Sequence, residues 1–82
     1  MPLHMDIHHE IEGLTADAVA EAHARDVEVG PKLGVNYLSY WYDKYGKFFC
    51  LVDAPSAEAA SAVHREAHGL VADEITEVQQ GA

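Results

Sequence analysis

The chain has 82 residues, of which 14 are Asp or Glu and 5 are Lys or Arg, giving a formal net charge of −9. That balance lacks the clustered positive charge a phosphate backbone requires, so nucleic acid is not an expected partner. Hydrophobic residues make up 49% of the chain, which suits one small globular domain over 1–82; no apolar run reaches the ~18–20 residues of a membrane helix, and the N-terminus lacks the basic-then-apolar layout of a signal peptide.

In chain order, residues 3–9, LHMDIHH, alternate: Leu3, Met5 and Ile7 share one side, and His4, Asp6 and His8 the other, as in a strand. Gly13 breaks the chain, and Thr15 is a good N-cap for a helix over 16–29, ADAVAEAHARDVEV. Ala16, Val19, Ala20, His23 and Val27 follow helical spacing, so His23 lies on or beside the apolar stripe; Gly30 and Pro31 end the helix. GVNYLSYWYD and KFFCLVD are rich in β-branched and aromatic residues and flank the turn DKYG, which predicts a hairpin. Ser56 caps a second helix, AEAASAVHREAH, that Gly69 stops, and ADEITEV over 72–78 is a last short strand. The order β-α-β-β-α-β is the ferredoxin-like arrangement, an α+β sandwich with two helices on one face of a four-stranded antiparallel sheet.

The hairpin strands are apolar on both faces. One alternation groups Leu38, Tyr40, Phe49 and Leu51, the other Tyr37, Trp41, Phe48, Cys50 and Val52. Helices cover one face only, and a chain this short has a marginal core, so a homodimer through the open sheet face is expected. Cys50, the only cysteine, reads as a buried small hydrophobe in a reducing, cytoplasmic protein, and a single cysteine excludes thiolate zinc-finger spacing.

Six histidines in 82 residues are the compositional oddity. His64 and His68, in VHREAHG, stand four apart, share a helix face and can hold one divalent ion; the alternative is two partly exposed side chains near a helix C-terminus. Antiparallel helices bring mid-helix His23 toward His64, and the end of the first strand, with His8 and His9, toward His68. Asp6 shares the strand face of His8, and a carboxylate on a central strand must be ligated or paired, with a tyrosine hydroxyl, Arg25 or Arg65 as the pairing options. The alternation does not fix whether Asp6 and His8 face the helices or the open side. The expected metal set is therefore His8, His23, His64, His68 and Asp6, the alternative for a lone His23 being a satisfied core histidine; Glu10 and Glu66 could serve as spare carboxylates, but solvated surface is the favoured reading for both. No nucleophile triad or phosphate loop is legible.

NYLSYWYD, GKFFCLVDAPSAEAA, VHREAHGLVADEITEV and the opening MPLHMDIH resemble the small bacterial nickel-binding proteins with a ferredoxin-like α/β sandwich, a family long catalogued as of unknown function. The resemblance spans nearly the whole chain and is densest from Gly34 to Val78. It implies a homodimer, nickel sites of histidines and carboxylates, and no established enzymatic activity. Matching positions are Asp6, His8, His23, Tyr40, Trp41, Cys50, His64, Glu66 and His68; His4 and His9 fall outside the pattern. Two functions follow as expectations. One is a non-catalytic Ni(II) protein for sequestration or delivery, with Zn(II) and Cu(II) also suited to such ligands. The other is a small dimeric α/β-barrel-type enzyme, a monooxygenase or isomerase, by analogy of fold.

Overall fold

The computed structural model describes residues 2–81. Its elements are β1 (Leu3–His8), α1 (Ala16–Val29), β2 (Asn36–Tyr42), β3 (Phe48–Asp53), α2 (Ala57–Ala67) and β4 (Glu74–Val78), with a 3-10 turn over Gly30–Leu33. The strands pair antiparallel in the order β2-β3-β1-β4, so β1 is central and both helices arise from crossovers. The ferredoxin-like α+β sandwich expected from the sequence is the fold observed.

Local chemistry sets the helix starts. The Thr15 hydroxyl accepts the Ala18 amide and the Ser56 hydroxyl accepts the Ala59 amide, each at 3.1 Å, satisfying a donor that the first helical turn leaves open. At the end of α1 the chain does not stop at Gly30: it tightens into the 3-10 turn and is released at Gly34, whose φ of 73° ends it. Gly30 is needed for a different reason. A Cβ there would lie 2.5 Å from the Val35 carbonyl oxygen, so only glycine lets the turn close onto the start of β2.

Along β1 and β3 burial alternates strictly, with His4, Asp6, His8, Phe48, Cys50 and Val52 beneath the helices. Asp6 and His8 therefore face the helices, which the alternation alone left open. In β2 neither of the two sequence registers holds. Tyr37 pairs with Val52 and Ser39 with Leu51, so Leu38 is an extra, unpaired residue. This bulge shifts the alternation by one and puts both Tyr37 and Tyr40 on the helix side. Trp41, Phe49 and Ile7 align as one row on the opposite face, beside a row of Ser39, Leu51 and Met5.

The core consists mainly of small residues: Val19, Val35, Cys50, Val52, Ala54, Ala60 and Val63 are wholly inaccessible. Val27, expected on the buried stripe of α1, is 47% exposed, and the stripe instead carries Val19, Asp26 and Val29. Asp6 and Asp26 are both 0% exposed and His64 is 1% exposed. Buried charge is tolerated only when paired or ligated, so these residues define the site.

Candidate metal centre

Four elements deliver the site. β1 carries Asp6 and His8 on its helix-facing side, and β2 contributes Tyr37 just before its bulge. α1 contributes Asp26 in its last turns. α2 carries His64, with His68 one turn later as its C-terminal cap residue. The helices run antiparallel in a register that sets Arg25 and Asp26 against the end of α2, where the Arg25 Nε–H donates to the Ala67 carbonyl at 3.3 Å.

His64 lies at the centre. Its Nδ1–H donates to Asp26 Oδ1 at 3.0 Å, and its Nε2 is ion-paired with Asp6 Oδ2 at 2.6 Å. The Tyr37 hydroxyl donates to the same Asp6 oxygen at 2.9 Å and also lies 3.2 Å from the Ala60 carbonyl. Asp26 Oδ1 reaches a second imidazole, with His68 Nε2 3.0 Å away. The other nitrogen of His68, Nδ1, accepts the Leu70 amide at 3.1 Å. The His8 ring packs 5.2 Å from the His64 ring, centroid to centroid.

These contacts set the protonation states of the metal-free site. Burial pushes the His64 pKa down, but hydrogen bonds with Asp26, Asp6 and Cys50 outweigh it and hold the group up at about 11. With a carboxylate at each ring nitrogen, His64 is an imidazolium at neutral pH. Burial works to raise the Asp26 pKa, and hydrogen bonds from His64 and His68 override it and keep the carboxyl below its ordinary value. Burial, reinforced by the neighbouring His64 charge, lowers His8, so its imidazole is neutral. Burial raises Cys50 and leaves it a thiol, and burial together with Asp6 raises Tyr37 and leaves it a phenol.

Of the residues expected from the sequence, the structure gathers Asp6, His8, His64 and His68 in one place. His23 lies outside that group: its ring packs tilted against Tyr40, 4.6 Å between centroids, within reach of the Asp26 charge. His9 is at the surface, paired with Glu74. Asp26 and Tyr37 were missed. The signal for Asp26 was present, since it falls seven residues after Val19, on the same helix face, and a charged residue at a core position is a site indicator. Among the described residues the group able to hold an ion is Asp26, His64 and His68, whose ligand atoms all lie within 4.8 Å of one another.

The donor set fits a divalent transition metal. Asp6 Oδ1 and Asp26 Oδ2 are buried with no hydrogen-bond partner, and the buried His68 Nε2 has only its 3.0 Å contact with Asp26 Oδ1, which leaves two uncompensated carboxylate oxygens beside an imidazole nitrogen. Outside the site, a cleft of about 460 Å³ between α1 and α2, bordered by Glu21, Arg25, Ala67 and Leu70, reaches His68.

Comparison with known proteins supplies the context. A family model described as nickel responsive protein SCO4226-like matches residues 4–78. The chain belongs to this SCO4226-like nickel responsive family. Its fold is similar to the crystal structure of SCO4226 from Streptomyces coelicolor A3(2), with a TM-score of 0.89 and 40% identity over 98% of this chain and 99% of that one. No curated protein matches the chain. Like the fold, the family expected from the sequence is the one found. Among the described residues of this SCO4226-like chain, no helix is long and apolar enough to cross a membrane.

Proposed function

We propose that the chain binds a divalent transition metal ion, Ni(II) in the first instance, and serves to sequester or deliver it. Asp26, His64 and His68 would hold the ion, with His8 as the nearest additional neutral imidazole. The observation that carries this reading is the convergence of those three donors, with Asp26 Oδ2 and His68 Nε2 buried and otherwise unpartnered. The family description, nickel responsive, favours Ni(II). Imidazole and carboxylate donors also suit Zn(II) and Cu(II), and intrinsic affinity ranks Cu(II) above both. A bound ion supplies the positive charge that offsets the buried carboxylates. The chain's own residues do the rest: Asp26 spans the two histidines, and His68, lining the cleft, is the member nearest solvent. Neither the comparisons nor the site supports the enzyme alternative.

The homodimer is part of the proposal. Trp41 and Leu38 are each 51% exposed, and the Trp41–Phe49–Ile7 row has no helix above it. A second copy of the sheet would cover it. The unpaired thiol of Cys50 suits a reducing compartment such as the cytoplasm, and the formal charge of −9 disfavours nucleic acid.

Isothermal titration of tag-free protein with Ni(II) tests the function. His64→Ala and His68→Ala should each weaken binding at least tenfold, about 1.4 kcal/mol. Unchanged affinity in both variants removes these histidines from the site.

A further inference from the structure

We propose that Asp6, held by Tyr37, is a positioning residue that decides which nitrogen of His64 faces the ion, and is not itself a ligand. This rests on the metal-binding reading above.

The two nitrogens of His64 have different surroundings. Nε2 points to the sheet, 2.6 Å from Asp6 Oδ2. Nδ1 points to Asp26 Oδ1 at 3.0 Å, and that oxygen is in turn 3.0 Å from His68 Nε2. Asp26, His64 and His68 form the group whose donor atoms all lie within 4.8 Å, Asp6 is outside it, and Nδ1 is the His64 nitrogen that faces Asp26. A neutral imidazole offers one lone pair and keeps its proton on the other nitrogen. A carboxylate fixed beside Nε2 retains the proton there and leaves Nδ1 free toward Asp26 and His68. This is the carboxylate–histidine arrangement that orients metal-bound imidazoles in general.

Tyr37 makes Asp6 a fixed point. Its hydroxyl donates to the same Oδ2 at 2.9 Å and sits 3.2 Å from the carbonyl of Ala60, one turn before His64 on α2. The sheet thus ties the carboxylate to the helix whose histidine it orients. His68 has no such support: a backbone donor, the Leu70 amide, occupies its Nδ1. A donor there opposes the tautomer needed for ligation through Nε2. His64 is therefore the prepared ligand of the pair and His68 the adaptable one. The rival role for Asp6 would use its other oxygen, Oδ1, which is buried and unpartnered, so the experiment has to separate ligation from positioning.

The experiment compares wild type, Asp6→Asn, Tyr37→Phe and Asp26→Asn in three readouts. Titration with Ni(II) should show Asp6→Asn and Tyr37→Phe each weakened roughly 10–100-fold, the usual effect of losing such a partner. At saturation with Co(II), both should keep the wild-type visible ligand-field spectrum, while Asp26→Asn changes it. Long-range proton–nitrogen correlation on the Zn(II)-loaded wild type should place the proton on His64 Nε2 and the metal on Nδ1. That assignment should become mixed in Asp6→Asn, a change that a merely structural role of Asp6 would not produce. Should Asp6→Asn fail to fold, the isosteric Tyr37→Phe carries the same comparison. Unchanged Ni(II) affinity in both variants overturns the proposal, as does the metal on Nε2. A Co(II) spectrum altered in Asp6→Asn as in Asp26→Asn makes Asp6 a ligand and overturns it too. Wild type that takes up none of the three metals overturns the metal-binding reading and this proposal with it.

Discussion

Replacing Asp26 with asparagine tests the electrostatic description of the metal-free site. Asp26 is 0% exposed and its Oδ1 meets two imidazoles, each at 3.0 Å. Asparagine keeps the shape and an acceptor oxygen but loses the charge facing the His64 imidazolium. Losing one partner of a buried pair costs about 3–5 kcal/mol, and a charge-assisted hydrogen bond is worth about 1.5–3 kcal/mol. Because the acceptor survives, a loss of about 2–3 kcal/mol at pH 7 is expected. For a domain of this size each kcal/mol moves Tm by ~4–8 °C, so Tm should drop by roughly 10–20 °C. The pH dependence has a definite sign. The carboxyl pKa is lower in the folded chain than its ordinary 3.8, so its contribution is present above that value and is lost as pH falls through the folded value. Urea melts of apo-protein in chelator at pH 7 and in strong acid should show the gap between wild type and Asp26→Asn closing in acid. Equal midpoints at pH 7 would refute the reasoning. A more stable Asp26→Asn would mean that repulsion between Asp6 and Asp26 dominates the site.

His64 gives the opposite sign: its pKa is raised from 6.5 to about 11, so its stabilisation is complete below 6.5 and fades as pH climbs through the folded value. Apo wild type should lose its stability advantage over His64→Gln across that alkaline range, as read by denaturant midpoints; a constant difference contradicts the imidazolium assignment. Metal uptake by His64 must displace a proton, so apparent Ni(II) affinity should rise with pH through neutrality toward the folded value of about 11, and bound ion should be lost in acid. Full occupancy at about pH 4.5 would assign the binding to carboxylates alone. Trp41→Lys, on the open face, should convert a sedimenting dimer to monomer while leaving the Ni(II) affinity of each chain within about threefold; a wild-type monomer at micromolar concentration removes the second-copy explanation for the exposed aromatic row.

The fold was legible because each local signal agreed with its neighbours: two hydroxyl caps, strict alternation in β1, and a hairpin turn between β-rich strands. The site was only partly legible. His64 and His68 could be paired from their spacing within one helix. The partner on α1 depended on how two helices align, and a slip of one turn exchanges His23 for Asp26. The bulge at Leu38 was likewise hidden, because Tyr37, Leu38, Tyr40 and Trp41 are all plausible on either face, and only pairing with β3 decides it. That one extra residue is what lets Tyr37 and Tyr40 both face the helices. A tyrosine hydroxyl was among the expected partners for Asp6, but not which tyrosine.

The most direct test of the central claim is anomalous diffraction at the nickel edge from crystals of tag-free protein grown with Ni(II). The account predicts a peak between the Asp26 carboxylate, His64 Nδ1 and His68 Nε2. A peak only at the surface pair His9 and Glu74, or none with Ni(II) present in solution, would contradict it.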